Sequence, residues 1–441
     1  MPVARSLVLV STLLCSQLVA GAPRDSLLAY LDSSADAYAG LAQQIWDYAE
    51  LGYLEQQSSA LLQQTLAQEG FDIEAGVAEI PTAFVASYGS GEPVIALLAE
   101  FDALPGISQT NAPQREIRED RNAGHACGHH LFGAGSAAAA IAVKRWMAEH
   151  DVAGTVRLYG TPAEEGGSGK VYMVRAGLFE DVDSVLVWHP SDRNAANTLT
   201  TLANKSAKFR FTGTSSHAAV APEQGRSALD GVEAMNFMVN MLREHVPQET
   251  RIHYVITSGG SAPNVVPDFA EVFYYVRHPQ AETLKQLWTR VVAAAEAGAM
   301  GTGTQVEAEV IHGNHSLLPN ATLSQLLHNN LERVGGVSYS PSEQAFAQEI
   351  TRTLNSDRNL LGTQSVIQPF TEELNMGSTD VGDVSWQVPT AEVRAATWVP
   401  GTSPHTWQAI AAGGTSIGAK GMLVAAKTMA LSAADLFEQP E

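Results

Sequence analysis

The stretch VIALLAEFDALP, residues 94–105, decides the fold because it joins a wholly apolar run to an acidic turn. An apolar run that ends at Glu100 is typical of a strand buried on both faces of a sheet. Short apolar runs at residues 82–89, 155–160 and 184–188 predict further strands. Helical periodicity surrounds them, so we expect an α/β domain with a mixed, largely parallel sheet and helices on both faces.

The helices of this domain follow from the spacing of apolar residues. Residues 25–55 predict one long amphipathic helix or two. Residues 132–150 are rich in alanine and predict a helix, as do residues 169–179 between two strands. A last helix is predicted over residues 417–437.

A second unit begins near Lys205, where strands alternate apolar and polar residues. Strands, helices and strands there follow the order β-α-β-β-α-β, which is a ferredoxin-like α+β unit. We expect this unit, residues 206–316, to be inserted as a lid and dimerisation domain. The catalytic domain would then be discontinuous, comprising residues 23–205 and 317–441.

Composition excludes some classes of partner. The 441 residues carry a formal net charge of −21, with hydrophobic residues at 45 %. A strongly acidic surface repels phosphate backbones and anionic lipids, so we expect neither nucleic acid nor a membrane as a partner.

The N-terminal segment predicts export to the periplasm or secretion. Arg5 precedes an apolar run at residues 6–19, and small residues follow, so residues 1–22 resemble a secretory signal peptide. An uncleaved membrane anchor is the alternative. Cleavage would remove Cys15 and leave Cys127 as the only cysteine. That thiol is then either a metal ligand or an inert buried side chain.

Four polar segments lie at the ends of predicted strands or in the loops that follow. In open α/β sheets, the carboxyl ends of the strands are where sites are built. The four segments are residues 99–105, 124–130, 160–167 and 187–190.

These segments supply the donor atoms of a metal site. Cys127 and His129 stand two residues apart in a glycine-rich turn, and a thiolate with an imidazole suits zinc and similar ions. Glu164 and Glu165 add paired carboxylates, and His189 adds another imidazole. Each alone is more often structural or solvent-exposed. Together, on successive strands of one sheet, they predict a metal site.

Six motifs in chain order resemble the dinuclear metallopeptidases that include aminoacylase, hippuricase and the auxin-conjugate amidohydrolases. The resemblance extends over essentially the whole chain after residue 22 and is strongest to the branch that hydrolyses p-aminobenzoyl-glutamate. The motifs are HACGHH (125–130), TPAEEGGSGK (161–170), VWHP (187–190), PNVVPD (263–268), GSTDVGDVS (377–385) and PGTSPH (400–405).

The resemblance implies a two-metal centre of zinc or manganese. Cys127 would bridge the two ions, and Glu164 would be the general base for a metal-bound water. Asp102 would orient a ligand from behind. The remaining ligands implied are His129, Glu165, His189 and His405.

The resemblance also implies substrate contacts on the lid. His217 would stabilise the oxyanion across a dimer interface, which makes a homodimer through the lid our expectation. Asn264 would hold the substrate carbonyl, and Arg277 its carboxylate. Local alternatives are a turn cap for His217 and a strand-face ion pair for Arg277.

The sequence departs from the wider family at two positions. His130 stands where many relatives carry aspartate, and Glu100 stands where distant relatives carry a metal-binding histidine. His125 and His130 flank the predicted ligands, and their roles stay open. Surface or structural use is expected for the other histidines, such as His150, His245, His253 and His328.

The predicted function is hydrolysis of the amide bond of N-acyl amino acids, with an aromatic acyl group such as p-aminobenzoyl. A dipeptidase or carboxypeptidase of the same family is one alternative. A non-catalytic binding relative is another, although a binding protein has no need of a base such as Glu164.

Overall fold

The structure is a computed structural model that describes residues 24–355 and 360–439. The predicted signal peptide therefore lies outside the described residues. The helices are α1 (Asp25–Ser33), α2 (Ala35–Tyr48), α3 (Gln56–Gln68), α4 (His129–His150), α5 (Gly169–Arg175), α6 (Ala228–Leu242), α7 (Ala281–Thr302), α8 (Ala321–Val334), α9 (Pro341–Thr351), α10 (Val381–Ser385), α11 (Trp407–Gly413) and α12 (Ser416–Glu438). The strands are β1 (Asp72–Ala75), β2 (Phe84–Ser90), β3 (Val94–Ala99), β4 (Leu104–Pro105), β5 (Ala123–Gly124), β6 (Gly154–Gly160), β7 (Ser184–Ser191), β8 (Thr198–Thr200), β9 (Ala203–Thr212), β10 (Arg251–Ser258), β11 (Phe269–His278), β12 (Gln305–Asn314), β13 (Glu372–Leu374) and β14 (Thr390–Ala396).

A central six-stranded sheet has the order β1-β2-β6-β3-β7-β14. The pairs β6–β3, β3–β7 and β7–β14 are parallel, whereas β1 and β2 add an antiparallel edge. The predicted mixed, largely parallel α/β fold class is confirmed.

Helix α4 packs against β3 through small residues, which brings its first turn close to the acidic segment after the strand. A Cβ on Gly133 would lie 2.9 Å from the carbonyl oxygen of Glu100. On Gly135 it would lie 2.9 Å from the ring of Trp188. Glycine at both positions lets the helix approach the sheet. The predicted ligands therefore start from a rigid, close-packed base.

Some predicted boundaries differ from the structure. The helix predicted over residues 169–179 ends at Arg175, because Gly177 adopts a φ of +77° that an α-helix does not tolerate. Strand β7 continues to Ser191, since β14 pairs with it that far, and so His189 lies within the strand rather than after it. The amphipathic segment at residues 25–55 forms two helices, α1 and α2.

The second unit is a four-stranded antiparallel sheet with the order β10-β11-β9-β12, covered by α6 and α7. It has a separate apolar core, which includes Phe209, Phe211 and Tyr274. Its strands lie between residues 203 and 314. The domain boundaries at 206 and 316 stay a prediction.

Within the described residues, no single helix combines the length and apolar character needed to cross a bilayer. Helices α11 and α12 meet that test only as a pair, joined across a 75° bend. Most side chains of α12 are buried inside the protein.

Candidate active site

The turn Cys127-Gly128-His129 leads into α4 and carries the first candidate ligands. Gly128 has a φ of +81°, and a Cβ there would lie 2.7 Å from Cβ of Pro190. Only glycine allows the turn to approach the end of β7 this closely. Sγ of Cys127 consequently lies 3.6 Å from Nε2 of His189.

The five predicted ligands form two groups that share Cys127. Within each group, one donor atom per residue lies within 4.8 Å of the others. One group adds His129 and His189, and the other adds Glu165 and His405. The structure thus brings the five side chains together from four loops and strands. Their roles as ligands stay a prediction.

The residues fit a divalent ion. Nε2 of His129 is buried and lies 3.0 Å from Oε2 of Glu100. Oε1 of Glu165 is also buried. Nε2 of His405 lies 3.4 Å from the same Glu165 oxygen. Thiolate, imidazole and carboxylate donors at these separations suit zinc and related ions.

The neighbouring imidazoles favour the thiolate form of Cys127. Burial raises the pKa of the Cys127 thiol. The imidazoles of His189 and His129 lower this pKa by more than burial raises it, so it lies well below its usual range. Burial opposes protonation of His405, yet hydrogen bonding to Cys127 and Glu165 raises its pKa to about 11. The thiolate is the form of cysteine that binds metals.

Asp102 lies behind the cluster and is 1 % exposed. Its Oδ1 accepts a hydrogen bond from Nδ1 of His129 at 2.9 Å, which leaves Nε2 of that ring for a ligand role. Its Oδ2 accepts a hydrogen bond from the backbone N–H of Glu165 at 2.8 Å. One carboxylate therefore orients a candidate ligand in each group.

Glu164 faces a cavity of about 970 Å³ between the two sheets. Burial raises the pKa of its carboxyl well above its usual range, and the negative charges of Glu100 and Glu165 raise it further. A raised pKa suits a group that accepts and returns a proton near neutral pH. Cys127 and His189 line the same cavity.

Arg277 lines this cavity from the small domain. Its guanidinium lies 5.3 Å from the centre of the Tyr275 ring, and its Nε is buried without a hydrogen-bond partner. Among the described residues its guanidinium takes part in no ion pair, although the charges of Glu164 and Glu165 act on it, so the predicted strand-face ion pair is not observed. A half-buried arginine without a counter-ion is suited to an anionic ligand.

His217 and Asn264 lie together on the small domain, away from the cavity. The backbone N–H of Ala218 donates to the carbonyl oxygen of Asn264 at 3.0 Å, and both residues are exposed. Neither lines the cavity that holds Glu164. Nδ1 of His217 accepts hydrogen bonds from the backbone N–H groups of Ala219 and Val220, both at 3.2 Å. The neutral ring therefore carries its proton on Nε2, which remains a donor.

Glu55 is a supporting residue that no motif revealed. It is fully buried; Oε1 accepts a hydrogen bond from N of Ala163 at 2.8 Å, and Oε2 accepts one from Oγ1 of Thr82 at 3.0 Å. Ala163 has a φ of +59°, a strained conformation for alanine. Glu55 thus holds the backbone just before Glu164. Its position at the start of an amphipathic helix gave no signal in the sequence.

Three further buried groups lie next to the cavity, and one of them, Asp380, lines it. Lys170 pairs with Glu100 and with Asp380, and all three are at most 2 % exposed. Lys170 and Asp380 stand within two motifs, but neither received a role from sequence. One donor atom from each of Glu100, His129 and Glu164 also lies within 4.8 Å of the other two, so these three side chains could hold an ion as well.

The two histidines left open by the sequence have structural contacts. Nε2 of His125 lies 3.0 Å from the carbonyl oxygen of Ile45, and Nε2 of His130 lies 3.1 Å from that of Gly413. Both rings are buried, and neither belongs to a group of described residues that could hold an ion.

Comparisons with known proteins identify relatives of this chain. The sequence profile of "Peptidase family M20/M25/M40" matches residues 96–407. One of the subunits of p-aminobenzoyl-glutamate hydrolase from Escherichia coli K12 is 42% identical over 435 residues, covering 92% of this chain and 90% of that protein. The Xaa-Arg dipeptidase of Mus musculus is 29% identical, covering 93% and 88%. The solved aminobenzoyl-glutamate utilization protein of Klebsiella pneumoniae shares the fold, with a TM-score of 0.64 at 18% identity, covering 94% and 99%.

The carboxyl of Glu55 gives a pH-dependent prediction. Burial, with a contribution from Asp102, raises its pKa from 4.5 to about 7. The folded state therefore binds this proton more tightly than the unfolded chain, and stability is lost as pH rises through that window. In Glu55→Gln this loss disappears, so the free energy of unfolding relative to wild type should increase by about 3 kcal/mol between pH 4.5 and pH 7.

Chemical denaturation of metal-free protein at the two pH values measures this difference. Glu307→Gln, on an exposed face of β12, is the control and should show the same pH dependence as wild type. A constant difference between Glu55→Gln and wild type across this range would contradict the prediction.

Proposed function

Because the chain belongs to peptidase family M20/M25/M40 and is a hydrolase of amide bonds, we propose that it hydrolyses N-acyl amino acids with an aromatic acyl group. One observation carries the proposal. Two candidate metal groups share Cys127 beside a cavity that also holds Glu164 and an unpaired Arg277. A binding protein would need no carboxylate of raised pKa next to its ions.

Two divalent ions per subunit, zinc or manganese, are part of the proposal. Cys127 would be shared between them, with His129 and His189 on one and Glu165 and His405 on the other. When bound, such ions lower the pKa of water and polarise a carbonyl group. Cysteine and histidine donors favour zinc, and the resemblance favours manganese.

The chain's own residues supply the proton transfers and the orientation of the substrate. Glu164 accepts the proton of the attacking water and passes it to the leaving amine. Arg277 binds the free carboxylate of the amino acid through two parallel hydrogen bonds. Asp102 holds His129 and the backbone of Glu165 in place throughout.

Aromatic walls support an aromatic acyl group. Phe273, Tyr275 and Trp398 line the cavity alongside Arg277. Flat rings pack well against one another in an offset or edge-to-face arrangement. The E. coli relative is named for p-aminobenzoyl-glutamate, which joins such a ring to an amino acid.

We also propose a homodimer through the small domain. His217 and Asn264 do not line the cavity of their own chain, so a neighbouring chain would use them, with Nε2–H of His217 as donor to the oxyanion. The edge strand β10 exposes Tyr254, Val255 and Ile256, a row of apolar side chains that a partner would cover. Residues 1–22 support export, to the periplasm or beyond it.

The first test is release of a free amino acid from a panel of N-benzoyl and N-(p-aminobenzoyl) amino acids, with and without a chelator. Wild type should cleave these substrates and lose activity with the chelator. The panel includes carboxamide analogues, which Arg277 should not favour, and dipeptides ending in arginine. Faster cleavage of the dipeptides would replace the proposed substrate class with a dipeptidase.

Glu164→Gln should lower turnover at least about a hundred-fold, because it removes the base but keeps the size and shape of the side chain. Metal content, measured by elemental analysis, should stay at the wild-type level. Glu307→Gln is the matched control on the small domain and should keep full turnover. Retention of activity by Glu164→Gln would exclude the proposed role.

Mixing two inactive variants tests the shared site. His217→Ala lacks the donor and Glu164→Gln lacks the base, so each homodimer should be nearly inactive. After co-expression, a mixed dimer regains one complete site, and about a quarter of wild-type turnover should return. If His217 acts within its own chain, or if the partner is a different protein, the mixture stays inactive.

A further inference from the structure

Lys170 is a fully buried lysine behind the cavity, and the proposed reaction gives it no task. Its Nζ lies 2.7 Å from Oε1 of Glu100 and 2.7 Å from Oδ1 of Asp380. Its exposure is 0 %, and the two carboxylates are 1 % and 2 % exposed. Burying an ammonium is costly unless charges of opposite sign face it, so this arrangement needs all three groups.

The three groups connect directly to the candidate ligands. Oε2 of Glu100 lies 3.0 Å from Nε2 of His129, and Oδ2 of Asp380 accepts a hydrogen bond from the backbone N–H of Lys170 at 2.9 Å. Lys170 ends the motif that contains Glu164. The ammonium of Lys170 therefore connects, through Glu100, to the imidazole of His129. Through Asp380 it connects to the end of the motif that contains Glu164.

The acidic cluster around the site carries a large excess of negative charge. Its members are Glu100, Asp102, Glu164, Glu165 and Asp380. Within the described residues, Lys170 is the only lysine or arginine that forms an ion pair with any of them. Buried carboxylates repel each other and resist ionisation unless a cation is near. Before any metal binds, Lys170 is the one lysine or arginine of the described residues that contacts the cluster.

We propose that Lys170 is the internal counter-ion of the metal site: it holds Glu100 and Asp380 in place so that the cluster keeps its geometry before the ions bind. Lys170 is a positioning residue, since it acts through Glu100 and Asp380. The inference rests on the proposed function insofar as divalent ions bind at the groups that share Cys127. Lys170 and the ions would then neutralise different carboxylates of one cluster: Lys170 pairs with Glu100 and Asp380, and the ions would bind Glu165.

The test measures the unfolding temperature with saturating Mn²⁺ or Zn²⁺ and with chelator. In Lys170→Met, the chain keeps its packing volume but loses the charge. The unfolding temperature of the metal-free protein should fall by roughly 10 °C, as expected for a buried carboxylate left without its partner. The unfolding temperature of the metal-loaded protein should fall less, because the ions offset part of the lost positive charge. The difference between the two states should therefore widen relative to wild type.

A second substitution separates charge from packing. Asp380→Asn in the Lys170→Met background removes one negative charge but retains an oxygen to accept the backbone N–H. The double variant should recover most of the lost metal-free stability. This recovery also decides the matter if Lys170→Met alone does not fold. Lys420→Met is the matched control: Lys420 pairs with buried Glu343 at 2.6 Å outside the site, and its loss should be equal in both states.

The outcomes separate this inference from the proposed function. If neither the ions nor the chelator changed the unfolding temperature of wild type, the metal site and the inference would both be overturned. The inference alone would be overturned if the ions raised the unfolding temperature of wild type, but Lys170→Met lowered the unfolding temperature equally in the metal-free and metal-loaded protein. The inference alone would also be overturned if Lys170→Met had the unfolding temperature of wild type. The same holds if the double variant were no more stable than Lys170→Met.

Discussion

The parallel pairing of β3 with β6 and β7 places Asp102, Glu164, Glu165 and His189 at one edge of the large sheet. Ala99 at the end of β3 stands opposite Gly160 at the end of β6, so the acidic turn and the loop of Glu164 leave the sheet side by side. Strand β14 runs alongside β7 in the same direction, with Arg394 opposite His189. Four distant segments thus open at one edge of the sheet. The two candidate metal groups are a consequence of this register.

The sequence predicts this part of the fold well because its signals are local and physical. Buried parallel strands are short apolar runs, and Cys127 and His129 sit within a single turn of chain. Cys127, His129, Glu165 and His189 could be chosen because each belongs to a segment at the end of a predicted strand, whereas the resemblance alone implied His405. The predicted strand ends differ from the structure where pairing with a distant strand decides them. Strand β7, for example, continues through Pro190 to Ser191 because β14 pairs with it.

The supporting residues could not be predicted, because their function depends on contacts between distant segments. Glu55 and Ala163 are 108 residues apart, and Lys170 and Asp380 are 210 apart. A lone glutamate at the start of an amphipathic helix has no pattern of its own. His217 shows the opposite case: the resemblance already implied a role at a neighbouring chain, and in the structure His217 does not line the cavity of its own chain. Charge and geometry in three dimensions supply what periodicity cannot.

The proposed dimer, in which His217 would complete a neighbouring site, has a consequence for where the enzyme could work. A site completed by a neighbouring chain exists only while two chains are associated, so the rate per molecule depends on protein concentration. Diluted below the dissociation constant of the dimer, each chain would keep its ions and its base and yet turn over little substrate. A confined compartment would preserve the pairing that an open medium dissolves. If the proposed export and the proposed dimer both hold, the volume into which the protein is released becomes a determinant of its activity.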